Sequence, residues 1–134
     1  MATLDDVARL AAELPEVTVG ERHRGQTWFV GKKAFAWERP FSKADLRRFG
    51  DEPVPEGPIL AITTEDLAEK EAILESGSDA FFTIPHFDGY AAVLVQLRKI
   101  GVPALREALL DGWLACAPPA LAEEHLARRE GRRG

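Results

Sequence analysis

Cysteine is almost absent from this sequence of 134 residues, since Cys116 is its only representative. A single thiol cannot form an internal disulfide, and its isolation excludes a zinc site built from several cysteines. Cys116 continues an apolar helical spacing that includes Val102, Leu105, Leu109 and Trp113. We therefore expect Cys116 to be a buried structural thiol rather than a nucleophile.

Long apolar runs and a basic leader are also missing. No stretch approaches the roughly 18 apolar residues that a membrane-spanning helix needs. The first residues, MATLDDVARLAAEL, carry acids where a signal peptide has its basic region. We expect a cytoplasmic protein with no membrane partner.

The motifs that mark common catalytic and cofactor sites do not occur. There is no Gly-rich phosphate loop, zinc-protease motif, nucleophile elbow or paired-cysteine motif. We predict a non-enzymatic protein without catalytic residues, metal or cofactor. His23 and His125 lie among charged residues and are expected on the surface. His86 has no second His, Cys or Ser nearby in sequence to complete a triad or metal set, so we expect it to flank a turn.

The length suits one domain, predicted at residues 1–128, followed by a flexible basic tail at residues 129–134. Helical spacing and capping residues predict helices at residues 4–14 and at SKADLRRF, EDLAEKEAILES, PALREALLDGWLAC and LAEEHLAR. Strand-like runs are EVTVGE, TWFV, KAFAW, PILAIT, DAFFTI and YAAVLVQL. Hairpins between neighbouring strands predict an α+β fold, in which an antiparallel sheet is covered by helices on one face.

Two short turns set the predicted strand register. Gly31-Lys32 suits a type II′ hairpin in which Val30 faces Lys33 and Trp28 faces Phe35, so that one face of the ribbon carries the aromatic rings. Asp88-Gly89 in PHFDGY suits a type I′ hairpin that pairs Phe87 with Tyr90.

Positive charge is concentrated in one part of the chain. Residues 21–48 contain eight Lys or Arg and three acids, whereas residues 49–96 contain one Lys and ten acids. The net charge of -5 argues against a dedicated high-affinity nucleic-acid binder. Within the basic segment, the predicted short helix and hairpin tip carry the candidate phosphate contacts, which are Lys32, Lys33, Lys43, Arg47 and Arg48. The alternative is that these charges solubilise the domain and pair with nearby acids.

Four stretches occur in a characteristic order: LPEV after the first helix, TWFVGKKAFAW, PHFDGYAAVLVQL and DGWLACAPPALA. Together they resemble the MmcQ/YjbR family over roughly residues 4–127. The resemblance implies a frataxin-like α+β fold, also described as a double-wing DNA-binding motif, with the two hairpins as candidate wings. Family members are commonly labelled DNA-binding without a defined biochemical role.

Three hypotheses follow. The first is a binding protein that contacts DNA phosphates weakly through the five basic residues. The second is a protein-interaction or small-ligand module that uses the hairpin aromatics Trp28, Phe35 and Trp37. The third, metal binding by the acids of the helix at residues 65–75, depends on analogy with the frataxin fold.

Overall fold

The structure, a computed structural model, describes residues 1–22 and 25–133, so the predictions for His23 lie outside the described residues. Five α-helices are α1 (Leu4–Ala12), α2 (Lys43–Phe49), α3 (Leu67–Glu75), α4 (Val102–Cys116) and α5 (Pro119–Arg133). Six strands are β1 (Val17–Arg22), β2 (Gly25–Val30), β3 (Lys33–Glu38), β4 (Ile59–Thr63), β5 (Phe81–Phe82) and β6 (Ala92–Gln96). The strands form one antiparallel sheet in the order β1-β2-β3-β4-β6-β5. The predicted α+β class is confirmed.

The helix boundaries follow local capping chemistry. Thr3 and Asp6 form a capping box at the start of α1, and Ser42 and Asp45 form a second one at the start of α2. Helix α2 ends at Gly50, whose φ of 56° is a conformation that glycine adopts at little cost. Helix α5 extends well beyond the predicted LAEEHLAR, and the flexibility of the tail stays a prediction. None of the described helices combines the length and the apolar character of a membrane span.

The main core lies between the sheet and the helices α1 and α4. Trp113 is fully buried there, as its helical spacing predicts, and its Nε1 donates a hydrogen bond to the Pro15 carbonyl at 3.1 Å. Gly112 allows α4 to approach the sheet, because a Cβ at this position would stand 2.6 Å from Ile62 Cγ2. Cys116 is buried in the same core, and burial raises the pKa of its thiol, in agreement with a structural role.

The first hairpin has the predicted turn but a different register. Val30 does pair with Lys33, whereas Trp28 pairs with Ala36 rather than with Phe35. The register shift between Trp28 and Phe29 is a β-bulge that leaves Phe35 as an extra residue on β3. Trp28 and Phe35 still pack on one face, as predicted, but Trp37 packs on the other, so the prediction that one face carries the hairpin aromatics is correct for two of the three rings.

The consequence of the bulge is seen at Trp37. Residues two apart on a regular strand point to the same face, so Phe35 and Trp37 would lie together. The bulge changes this alternation, and Phe35 packs in the helix-covered core while Trp37 packs in a second cluster on the opposite face. Helices do not cover that second face fully, in contrast to the layer formed by α1 and α4.

The second predicted hairpin is wrong in detail. Strands β5 and β6 are antiparallel, but a 3-10 turn at Pro85–Phe87 and a following tight turn connect them. Asp88 has φ -59° and ψ 129°, and Gly89 has φ 74°, which are the angles of a type II turn rather than type I′. Phe87 and Tyr90 are joined by the turn hydrogen bond, at 3.0 Å from the Tyr90 nitrogen to the Phe87 carbonyl, and not as strand partners.

Candidate binding groove and basic helix

A groove of about 580 Å³ opens on the second face of the sheet. Its walls come from β2, β3, the chain leading into α2, and the connection between β5 and β6. The lining residues are Thr27, Ala34, Trp37, Glu38, Arg39, Pro40, Ser42, His86, Phe87 and Tyr90. This volume lies within the range of about 300 to 1,000 Å³ that is usual for small-molecule sites.

Three aromatic rings form one side of the groove. The ring of Trp37 lies 6.4 Å from that of Phe87 and 6.3 Å from that of Tyr90, measured between centroids. The rings of Phe87 and Tyr90 are stacked at 5.6 Å. Phe87 is buried, whereas Tyr90 is 48% exposed, so the cluster presents an open ring surface at its outer edge.

An ion pair joins the groove to α2. The guanidinium of Arg39 lies 3.1 Å from Asp45 Oδ2 and 5.6 Å from the centre of the Phe87 ring. Asp45 Oδ2 also accepts a hydrogen bond from the Ser42 backbone nitrogen at 2.9 Å. Burial raises the pKa of Asp45, but the hydrogen bonds with Ser42 and the charge of Arg39 outweigh burial and lower it. The carboxylate therefore stays charged and fixes both the helix and the arginine.

A buried lysine holds the turn that carries Tyr90. Lys70 on α3 is only 7% exposed, and its Nζ donates to the carbonyls of Phe87 at 2.6 Å and Tyr90 at 2.8 Å. Burial lowers the pKa of Lys70, and the negative charge of Asp88 partly opposes this shift. The sequence alone does not reveal this role, because Lys70 is surrounded by acids on a helix that looks solvated throughout.

The five predicted phosphate contacts are exposed but fall into two groups. Lys43, Arg47 and Arg48 lie on α2, and Lys32 and Lys33 lie at the turn between β2 and β3. Strand β3 runs between the groups, and a six-residue strand spans about 17 Å. None of the five makes an ion pair within residues 1–22 and 25–133. The predicted hairpin tip and helix thus form two separate basic surfaces.

The remaining candidates are placed as follows. Trp28 and Phe35 are fully buried, so they cannot form the exposed aromatic surface of the second hypothesis, and Trp37 alone reaches the groove. His86 is exposed beside the type II turn and lines the groove. In the described part of the chain, no three His, Cys, Asp or Glu side chains lie close enough to hold a metal ion, including the acids of α3.

Comparison with known proteins places the chain among relatives from mycobacteria. It is 44% identical over 130 residues to "Uncharacterized protein Rv2570" of Mycobacterium tuberculosis and to "Uncharacterized protein Mb2600" of Mycobacterium bovis. The alignment covers 95% of this chain and 98% of each relative. The chain belongs to their family. The relatives' names assign no activity to the family, and no family model matches the sequence.

The fold of the chain is also found in a solved structure. The crystal structure of Deinococcus radiodurans protein DR2400, which carries the family-model domain DUF419, matches with a TM-score of 0.60. The match covers 85% of this chain and 78% of that chain, at 17% sequence identity. The two proteins share the α+β fold, in which an antiparallel sheet packs against helices.

Proposed function

We propose that this protein is a non-enzymatic, cytoplasmic nucleic-acid-binding protein of the MmcQ/YjbR type, which contacts phosphates through α2. The observation that carries the proposal is the charge of this helix. Helix α2 has seven residues, and three of them are the exposed cations Lys43, Arg47 and Arg48. Within the described chain, none of the three is neutralised by an ion pair. The order of the family stretches and the shared α+β fold support the family assignment.

The anchoring of α2 supports its use as a contact surface. The Asp45 side chain of α2 is buried and pairs with Arg39, and Phe49 packs edge-on against Phe41 at a centroid distance of 5.3 Å. The helix is therefore held on one side while its cations face solvent. A fixed helix loses little conformational freedom when it binds, which favours phosphate contacts.

Lys32 and Lys33 are proposed as a second contact surface. They lie at the opposite end of strand β3 from the chain that leads into α2. A single nucleic acid that runs along β3 is proposed to contact both surfaces. The acids of residues 49–96 oppose binding, so we expect affinities of about 10⁻⁶ to 10⁻⁴ M, typical of non-specific complexes.

The proposal is tested by reversing the charges of α2. Fluorescence anisotropy with a labelled duplex over a salt series measures affinity for the parent and for the triple variant Lys43→Glu, Arg47→Glu, Arg48→Glu. Each lost phosphate contact lowers the slope of log K against log salt by about 0.9. We expect the triple variant to lose binding, with circular dichroism as the control for folding.

A matched variant controls for net charge. Lys99, Arg106 and Arg128 are exposed on other parts of the chain, and their reversal to Glu gives the same change in net charge. Binding that survives this control reversal and is lost on reversal of α2 supports the proposal. Equal losses in both variants, or no binding by the parent at low salt, contradict it.

A further inference from the structure

We infer that the groove binds an unpaired nucleobase that carries a phosphate, so that this protein binds a single strand more tightly than a duplex. The inference rests on the proposed nucleic-acid function for its phosphate contacts. The base itself is assigned to the groove from the aromatic rings, the charges and the fixed turn described above.

The ring surface has the chemistry of a stacking platform. Among the large hydrophobic side chains that the structure describes, Tyr90 is the only exposed aromatic ring. It is backed by Phe87 and Trp37, so its exposed position is not a consequence of loose packing. A planar heteroaromatic ligand can stack on such a surface, and an aromatic contact with a base is worth about 1 to 3 kcal/mol.

The charges of the lining are arranged for a base with one phosphate. On the side of α2 the groove is lined by Ser42 and by Arg39, whose charge is shared with Asp45, and Lys43 follows Ser42 in the chain. Glu38 is on the side of β2, where its Oε1 lies 3.5 Å from the Gln26 nitrogen. A phosphate is attracted to the positive charge beside α2 and repelled by the carboxylate of Glu38, whereas a neutral base can lie between these two charged sides.

The platform is prepared before a ligand arrives. Lys70 donates hydrogen bonds to the carbonyls of Phe87 and Tyr90, which flank the type II turn. The hydrogen bond of this turn, from the Tyr90 nitrogen to the Phe87 carbonyl, holds Tyr90 in position. A duplex has no unpaired base to offer to this groove, and extruding one costs a few kcal/mol. The geometry therefore favours a single strand or a free nucleotide over a duplex.

Tryptophan fluorescence reports directly on the groove. Trp28 and Trp113 are fully buried, so Trp37 is the one tryptophan that a bound base can reach. We expect a short oligothymidylate to quench the emission of the parent, and the variant Trp37→Phe to lose this quenching. Binding of the oligonucleotide without any quenching in the parent overturns the inference.

Variants separate the base contact from the phosphate contacts. Tyr90→Ala should weaken binding of the oligothymidylate about tenfold and change duplex binding less than about twofold, because only the stacking of an unpaired base is lost. The triple reversal of α2 should weaken both. Equal effects of Tyr90→Ala on single strand and duplex, or no effect on either, overturn the groove as a base site.

Two further results distinguish failure of the proposed function from failure of this inference. If the α2 reversal has no effect but Tyr90→Ala weakens the single strand, the phosphate surface is wrong and the groove stands. If no oligonucleotide binds, titration with a nucleoside monophosphate decides: saturable quenching that depends on Trp37 identifies a free nucleotide as the ligand, and its absence overturns the inference.

Discussion

The two faces of the sheet use the same strands but are covered differently. On one face, α1 and α4 enclose Trp28, Phe35 and Trp113 completely. On the other face, the short helix α2 and the turn at residues 85–90 leave an open groove beside Trp37. The closed face has the packing of a core, and the open face has accessible rings together with charged groups. The comparison indicates that the first face is closed by helices and that the second leaves rings and charged groups accessible.

The largest expected effect tests the closed face. Trp113→Ala should lower the free energy of unfolding by about 3 to 5 kcal/mol, because it leaves a large cavity and removes the hydrogen bond to Pro15. Trp37→Ala, on the open face, should cost clearly less because the ring is only partly buried. Urea denaturation measures both variants, and equal losses would contradict the difference between the faces.

The second-largest expected effect is on stability and tests Lys70, which holds the turn on the open face. Lys70→Met should cost about 2 to 3 kcal/mol, because the buried carbonyls of Phe87 and Tyr90 lose their charged donor. The control Lys99→Met changes an exposed lysine and should stay within about 0.5 kcal/mol of the parent. If both lysine variants unfold at the same urea concentration, Lys70 does not hold the turn.

A smaller effect depends on pH. Asp45→Asn should cost about 1 to 2 kcal/mol at pH 7, because the ion pair with Arg39 is lost. The pKa of Asp45 is lowered on folding, so its charge contributes stability above the unfolded value of 3.8, and this contribution is lost as the pH falls through the folded value.

Urea melts of the parent and of Asp45→Asn at pH 7 and near pH 3 measure this dependence. The difference between the two proteins should shrink at the lower pH. The control is Asp51→Asn, an exposed acid in the loop after α2 that should leave stability unchanged at both values. A difference that grows on acidification would show that the Asp45 charge is unfavourable in the folded protein.

The smallest expected effect is at the rim of the groove. His86→Ala should change stability by less than about 0.5 kcal/mol, because the imidazole is exposed. Its neighbour Phe87 is buried, and Phe87→Ala should cost clearly more than His86→Ala. Thermal or urea melts of the two variants show which of these adjacent side chains is packed in the core. A large loss of stability in His86→Ala would place the histidine in the packed interior.

Local chemistry in the sequence was sufficient for most of the elements. The Ser42 and Asp45 capping box and the Gly31-Lys32 turn both act within a few residues, and the helix and the turn were predicted where they occur. The burial of Trp113 also follows from helical spacing alone. These features depend on the conformational preferences of neighbouring residues, which the sequence displays directly.

The candidate site was decided by contacts between distant residues. The bulge places Trp37 and Phe35 on opposite faces because β3 has one extra residue opposite β2. The composition of β3 does not reveal this extra residue. The type II turn coincides with two hydrogen bonds from Lys70, a residue 17 and 20 positions away in the chain. Sequence by itself determined which segments form helices and strands, because caps, turns and periodicity are local. Only the tertiary structure decided which face each ring occupies and which charges are buried, because those outcomes depend on packing across the sheet.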